Sequence, residues 1–472
     1  MEEESPMLRD RYEPMDLFAL VPKLGLEMDP VLTQMDHLLD DDIVFQRVRA
    51  DLARRYPQTT TRGRLSTPVE VILRMLAVKR LYGWSYEATE QFVNDSLVLR
   101  QFCRLYLERA PDDTVLIRWA NVIGQETLAE LNDRAVALAR SLKVTRGRKL
   151  RVDSTVVETN IHHPTDSRLV GDGVRVVSRL LRRAKQVMGD AVDLGQAAFR
   201  TRMRSVRRLT QQIHRMARRK GEEAAEEMKA VYAKLIKVAK ASRAQAQKVC
   251  EALRERAEDS AQRLVAQFEH FLPLMDQAIQ QAKRRVIDGQ AVPAGEKLLS
   301  LFEPHTQIIV RHKAGKPVEF GRKIFLDEVD GGIISRYEIL KEIKPDHQYL
   351  EASLEGHQER FGRAPDLLAG DRGCYSPRNE ELARKAGVEH IVLPKTGRLS
   401  PERQKHERQR WFRRGMRFRS GSEGRISVLK RAYGLDCCLN HGEEGFGRWV
   451  GWGILTANLA SISRTVATRQ AQ

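Results

Sequence analysis

Three carboxylates stand where the surrounding sequence does not ask for them. Asp153 sits inside the alternating apolar run "LRVDSTVVE", after Val152 and before Val156 and Val157. Asp371 closes the apolar segment "DLLAGD", directly before Arg372 and Gly373. Glu423 lies in "RSGSEGRISVLK", among basic residues, at what reads as the start of a helix. A carboxylate on a buried strand is costly unless something neutralises it. In an α/β sheet, ligands gather at the carboxyl ends of the strands. Acids converging there repel one another unless a divalent cation holds them, and hard oxygen ligands select Mg2+ or Mn2+. Two such ions about 3.5–4 Å apart can activate a water or hydroxyl and stabilise the leaving oxygen of a phosphodiester. Each acid alone is better explained as a surface salt bridge. Three together, in strand, strand and helix order inside a basic chain, favour an active site.

Glu423 has informative neighbours. Arg419 precedes it by four residues and Lys430 follows it by seven, so on one helix all three share a face. A cation on each side of a metal-binding glutamate suits a phosphate under attack. The whole chain of 472 residues carries 81 Lys and Arg against 63 Asp and Glu, a formal net charge of +18. The excess is clustered: from Arg175 to Lys220, fourteen Arg and Lys face only Asp190 and Asp193. Arginine pairs bidentately with phosphate, so nucleic acid is the expected partner before any membrane surface. No segment approaches the roughly 20 apolar residues of a membrane span. The start, "MEEESPMLRDRYEP", is acidic and does not read as a signal peptide. Cys103, Cys250, Cys374, Cys437 and Cys438 form no CxxC pair, which points to a reducing cytoplasm and away from a zinc site.

The elements that must position these residues follow from periodicity. Residues 1–145 read as an all-α domain. Its clearest helix is "STPVEVILRMLAVKRLYG", with Ser66 or Thr67 as cap, Glu70 answering Thr67 in a capping box, and Gly83 as stop. "WSYEATEQFVNDSLVLRQFCRL" follows as two short helices broken near Asn94–Asp95. With Arg100 and Arg104 on the second, it suits a DNA-reading helix-turn-helix and a plain helical bundle equally. The period switches to two at "RGRKLRVDSTVVE", a strand. Residues 174–299 read as a basic helical insertion. Met228, Val231, Leu235, Val238, Val249, Leu253, Ala257, Leu264 and Phe268 recur at threes and fours, as in a loosely packed antiparallel coiled coil that Pro273 follows. Strands return after residue 300, with Gly331–Gly332 at a hairpin turn. Residues 146–173 and 300–472 thus make one mixed-sheet α/β domain split by the insertion.

These residues resemble a family. "VDSTVVETNIHHPTDSRLVGDGVRV" with "AGDRGCYS" is similar to the DDE transposases of bacterial insertion sequences, most closely the ISNCY group. "RFRSGSEGRISVLK" matches the Arg-x3-Glu-x6-Lys part of the Tyr-Arg-Glu-Lys signature of related groups. The resemblance implies a ribonuclease-H-like catalytic fold, with Asp153 and Asp371 as metal ligands and Glu423 as the third acid on two Mg2+ or Mn2+ ions. Arg419 and Lys430 would contact phosphate, joined by Arg372 and Trp411 as DNA-facing residues. The signature's tyrosine has no counterpart, since Met416 stands there; Trp411 is the nearest substitute. The implied activity is binding of terminal inverted repeats, cleavage, and joining of a 3′-hydroxyl to target DNA by a DNA-bound homodimer in the cytoplasm, nucleoid-associated when on DNA. Two other readings fit the same residues: a nuclease that cuts without joining, and a non-catalytic DNA-binding protein derived from a transposase.

Several residues are explained without catalysis. His162 and His163 fall in the turn before Pro164 and read as substrate-side or structural. Asp166 and Asp172 suit turn and cap roles, and Cys374 suits packing. Asp327 and Glu328 lie on the hairpin, where alternation should expose at least one of them.

Overall fold

The computed structural model describes residues 8–21, 26–55, 65–189, 196–310, 317–342 and 344–472. The chain divides into two compact units, 1–158 with 322–472, and 159–321. The boundaries therefore differ from those read in the sequence. The N-terminal helices do not stand apart from the sheet: Val71, Leu76 and Leu131 belong to the same buried cluster as Val152, Phe325 and Ile454. The split segment begins at Thr159 and ends at Gly321, and so takes in the histidine turn.

In the first unit the strands are β1 (Lys149–Thr159), β3 (Val318–Val329), β4 (Ile333–Ile339), β5 (Leu367–Ala369), β6 (His390–Val392) and β7 (Cys437–Cys438). Strand β2 (Gln307–Val310) pairs antiparallel with the first residues of β3 in the second unit. Paired neighbours run β4-β3-β1-β5-β6, with β1, β5 and β6 parallel and β3–β4 antiparallel. Gly331 and Gly332 both take positive φ, 84° and 71°, at the β3–β4 turn, as their sequence predicts. Alternation fails beside that turn. The pairing register shifts between Asp327 and Glu328, and this bulge lets both acids point inward. Asp327 is 1% exposed and Glu328 4%, against the expectation that one would face solvent.

The Val69–Tyr82 helix is buried from end to end of its first ten residues, and Gly83 closes it in the left-handed conformation. Its capping box does not form. The Val69 and Glu70 amides donate instead to the Arg9 and Asp10 carbonyls. Glu70 turns inward to Arg74, a fully buried guanidinium that also binds Asp36 and Asp40. Arg104 joins this cluster through Asp36, at 3.0 Å. Arg100 is spent on the carbonyls of Tyr106 and Glu108. Helices Tyr86–Asp95 and Leu97–Phe102 break where the sequence predicts. Arg100 is on the second helix, whereas Arg104 lies past its end at φ 56°, against the expectation that both ride on it. Both are committed inside the fold, which favours the bundle reading over a base-reading role for them.

The Gly442–Gln470 helix, unmarked by any sequence motif, is buried over most of its length. Asn458 Nδ2 donates to Asn132 Oδ1 and to the Ile334 carbonyl, both at 2.8 Å, while its Oδ1 accepts from the Ile334 amide. A buried amide saturated in this way fixes three elements in one register: this helix, the Gln125–Ser141 helix and β4.

The second unit packs four helices, Asp166–Met188, Met203–Met216, Glu222–Arg254 and Asp259–Ala282, around its own core. The coiled-coil seam is mostly present in it: Val231, Leu235, Val249, Leu253, Leu264 and Phe268 are buried. Ala257 falls outside, exposed in the turn between helices. The last helix runs on through Pro273, beyond the end of the seam.

Candidate active site

The parallel register decides how the first two acids meet. Lys149, Leu150 and Arg151 of β1 stand opposite Leu367, Leu368 and Ala369 of β5. Two residues beyond this pairing come Asp153, still on β1, and Asp371, just past the end of β5, so the register carried forward sets the acids level. Their charges act on each other: the Asp371 charge raises the Asp153 carboxyl, whose larger push upward comes from burial. Opposing these are a 2.7 Å hydrogen bond from Ser422 Oγ to Asp153 Oδ2, one from the Ser154 amide to Oδ1 at 2.8 Å, and the Arg419 charge. The net direction is up.

Period-two alternation puts Arg151 on the same face of β1 as Asp153. There Arg151 fixes the Arg410–Tyr433 helix. Its Nη1 donates to the Phe418 carbonyl at 2.6 Å, and its Nε donates to Glu328 Oε2 at 2.8 Å in a two-pronged ion pair. A β-carbon at Gly421 would lie 2.3 Å from Arg151 Nη1, so glycine there admits the guanidinium. One turn of helix then carries Arg419, Ser422 and Glu423 to the level of Asp153.

Glu423 is not at a helix start, as its sequence suggests, but in the second half of a 24-residue helix. The Ser-Gly-Ser-Glu-Gly run resembles a breaker, yet Gly421 is required by Arg151, and residues 410–419 are already helical. The Glu423 side chain is 73% exposed and turned to Arg419, Oε1 to Nη1 at 3.3 Å. Arg419 Nη2 lies 3.8 Å from Asp153 Oδ2, so this guanidinium stands between the first and third acids. Its Nε is buried without a hydrogen-bond partner. Lys430 pairs with Asp436 at 3.7 Å rather than with Glu423. Arg372 is exposed on the short turn that Asp371 caps by accepting from the Cys374 amide. Trp411 stacks on His390 at 5.0 Å, beside Phe412. Cys374 is buried in that turn, and burial raises its thiol well above the ordinary value.

Sequence reading missed a fourth acid. Asp346 accepts from Ser154 Oγ at 3.0 Å and is ion-paired with Lys323. Its loop is tied to the Asp371 turn by Asn379, whose Nδ2 donates to the carbonyls of His347 and Cys374. Nothing local marks Asp346, which follows Pro345 at the start of the helical stretch "DHQYLEASLEGHQERFG". Ser422 carried no signal, and Glu328 was read only as a hairpin residue, because their partners are 269 and 177 residues away.

Asp153 and Asp371 are the two acids of this site that could share a cation. They lack a full countercharge: Arg419 is loosely held and the Asp153 carboxyl is raised by burial and by Asp371. Carboxylate oxygens of this kind suit a hard divalent ion. The three acids do not form a closed cluster. Among the described residues, ligand atoms within 4.8 Å of one another occur at Glu90, Asp112 and Asp113, where Glu90 and Asp112 accept from backbone amides at the start of the Asp113–Ala120 helix. Among the described residues, no helix is long and apolar enough to cross a membrane.

Residues 23–121 match a family model described as a transposase domain (DUF772), which supports a transposase family for the chain. No curated protein and no solved structure matches it.

Proposed function

We propose that this chain is a DNA transposase of the DDE type, related to the ISNCY group, with Asp153, Asp371 and Glu423 as its acids. The observation that carries the reading is the pairing of parallel strands β1 and β5, with Asp153 on the one and Asp371 just past the end of the other, beside a helix whose Arg419 reaches toward both Asp153 and Glu423. The transposase-domain match supports it independently. In chain order, counted within the first unit and setting aside β7, which pairs with β1, the strands run 3-2-1-4-5, which is compatible with a ribonuclease-H-like sheet.

Two Mg2+ or Mn2+ ions, held by the three acids, would supply activation of the attacking oxygen and stabilisation of the leaving one. The chain's own residues prepare the site. Ser154 and Ser422 orient the Asp153 carboxylate, leaving lone pairs free on each oxygen. Arg419, with unspent donors, would hold an oxygen of the scissile phosphate and release Glu423 as it does so. Arg372, exposed beside Asp371, would contact the flanking backbone. Lys430 and Trp411, held by Asp436 and His390, would act on DNA only by leaving those partners. The N-terminal helices would recognise terminal inverted repeats, with a homodimer bringing two ends together.

The test is cleavage and strand transfer on terminal-repeat DNA with Mg2+. Asp153→Asn, Asp371→Asn and Glu423→Gln should each keep DNA binding and lose activity by about 100-fold or more. Normal activity in all three would refute the triad. Cleavage without joining would identify a nuclease, and binding with neither step a DNA-binding derivative.

A further inference from the structure

The second unit is unevenly charged. Its Met203–Met216 helix, "MRSVRRLTQQIHRM", contains no acid. Val206, Leu209, Ile213 and Met216 face inward, and Arg204, Arg207, Arg208 and Arg215 face out. Among the described residues, none of these four guanidiniums makes an ion pair or a hydrogen bond. The Glu222–Arg254 helix differs: Glu222, Glu223, Glu226, Glu227 and Glu251 are interspersed with its cations, and Lys229 and Arg243 are ion-paired. Solvation alone does not call for four unpaired arginines on one short helix, because like charges at i, i+4 destabilise it.

The C-terminal half of the arginine helix forms one wall of a cleft of about 990 Å3. The opposite wall is the histidine turn that the active site leaves unused: His163, Thr165 and Arg168 line it, facing His214 and Arg215. Asp166 also lies on it, but its charge is taken by Arg285 at 2.7 Å. The cleft and the ridge are thus cationic together.

We infer that this ridge and cleft bind the phosphodiester backbone of duplex DNA without reading sequence. Arg204 to Arg215 spans about 16 Å along the helix, the axial rise of about five base pairs. The guanidiniums match phosphate bidentately. A membrane surface fits less well, because an interfacial helix needs exposed apolar anchors. Among the described residues of this unit the exposed large apolar ones are Phe302 and Val310, neither on this helix. The inference stands on the charge and shape of the second unit. Only the choice of DNA among polyanions rests on the proposed function.

The experiment is fluorescence anisotropy of the full chain with an arbitrary-sequence duplex of about 30 base pairs, from about 50 to 300 mM salt. The variant R204Q/R207Q/R208Q/R215Q should bind more than ten-fold more weakly. Its log K against log salt slope should be shallower by about 0.9 for each phosphate that is no longer neutralised, about 3 to 4 in all. The charge-matched K234Q/K237Q/K240Q/K248Q on the neighbouring helix should change both far less. Equal losses in the two variants would mean that net charge alone matters, and would overturn the site. Wild-type binding by the arginine variant, with an unchanged thermal melt, would overturn it too. The arginine variant is read by binding to arbitrary-sequence duplex and the acid variants by cleavage, so either result can fail without the other.

Discussion

Arg151→Met removes the residue that ties β1 to the helix carrying Glu423. Arg151 and Glu328 are 12% and 5% exposed, and their ion pair is backed by the Phe418 carbonyl and by the Phe418 ring at 4.8 Å. Methionine fills much of the volume but strands Glu328 as a buried carboxylate, with Arg425 as its remaining cationic neighbour. Breaking such a pair from one side costs about 3–5 kcal/mol, and Arg425 should hold the loss near the lower figure. The pH dependence has a definite sign. Burial already raises the Glu328 carboxyl, and Arg151 opposes that rise. Without Arg151 the folded-state value climbs further above the unfolded one. Stability then falls as pH rises through that window, because the folded state binds a proton that the unfolded state has released. Urea denaturation should therefore show the full loss at pH 7.5 and a smaller one near pH 5. The double variant R151M/E328L should return to within about 1–2 kcal/mol of wild type, since an apolar pair carries no desolvation penalty. A loss of the same size at both pH values would refute the electrostatic account and leave only packing.

Two further perturbations separate local from tertiary effects. Gly415→Ala and Gly424→Ala are the same change on one helix with opposite expected signs. At Gly415 a β-carbon would lie 2.4 Å from Val392 Cγ2, which predicts a loss of about 1–3 kcal/mol; at Gly424 it meets nothing within 4 Å, which predicts a gain of about 0.5–1 kcal/mol from helix propensity. Denaturation midpoints that move the same way would contradict this. His357 is buried, with Nε2 on the Gly147 carbonyl and Nδ1 without a partner, and burial lowers its value to about 4. It should contribute about 3 kcal/mol that is intact above pH 6.5 and lost as pH falls toward 4. His357→Gln should flatten that acid limb in a pH series of melts, and an unchanged limb would show that other groups set it.

The primary sequence determined what depends on near neighbours. Period two placed Asp153 on a strand, the apolar segment before Asp371 placed it at a strand end, and Gly331–Gly332 could only turn. The clustering of arginine was equally plain, since composition needs no fold. The tertiary structure decided everything that depends on distant partners. Asp153 and Asp371 are level because β1 and β5 pair in one register, which no window of sequence contains. Asp327 and Glu328 are both buried because a bulge overrides alternation, and a bulge is set by what the neighbouring strand allows. Glu423 sits mid-helix, turned to Arg419, because Gly421 serves Arg151 from another strand rather than breaking its own helix. The merging of the N-terminal helices with the sheet has the same origin: Asn458, Asn132 and Ile334 meet only after the chain has closed on itself. Short-range periodicity is fixed by backbone geometry and written locally. The pairing of groups hundreds of residues apart is fixed by which buried polar atoms find partners, and that is known only when the core is packed.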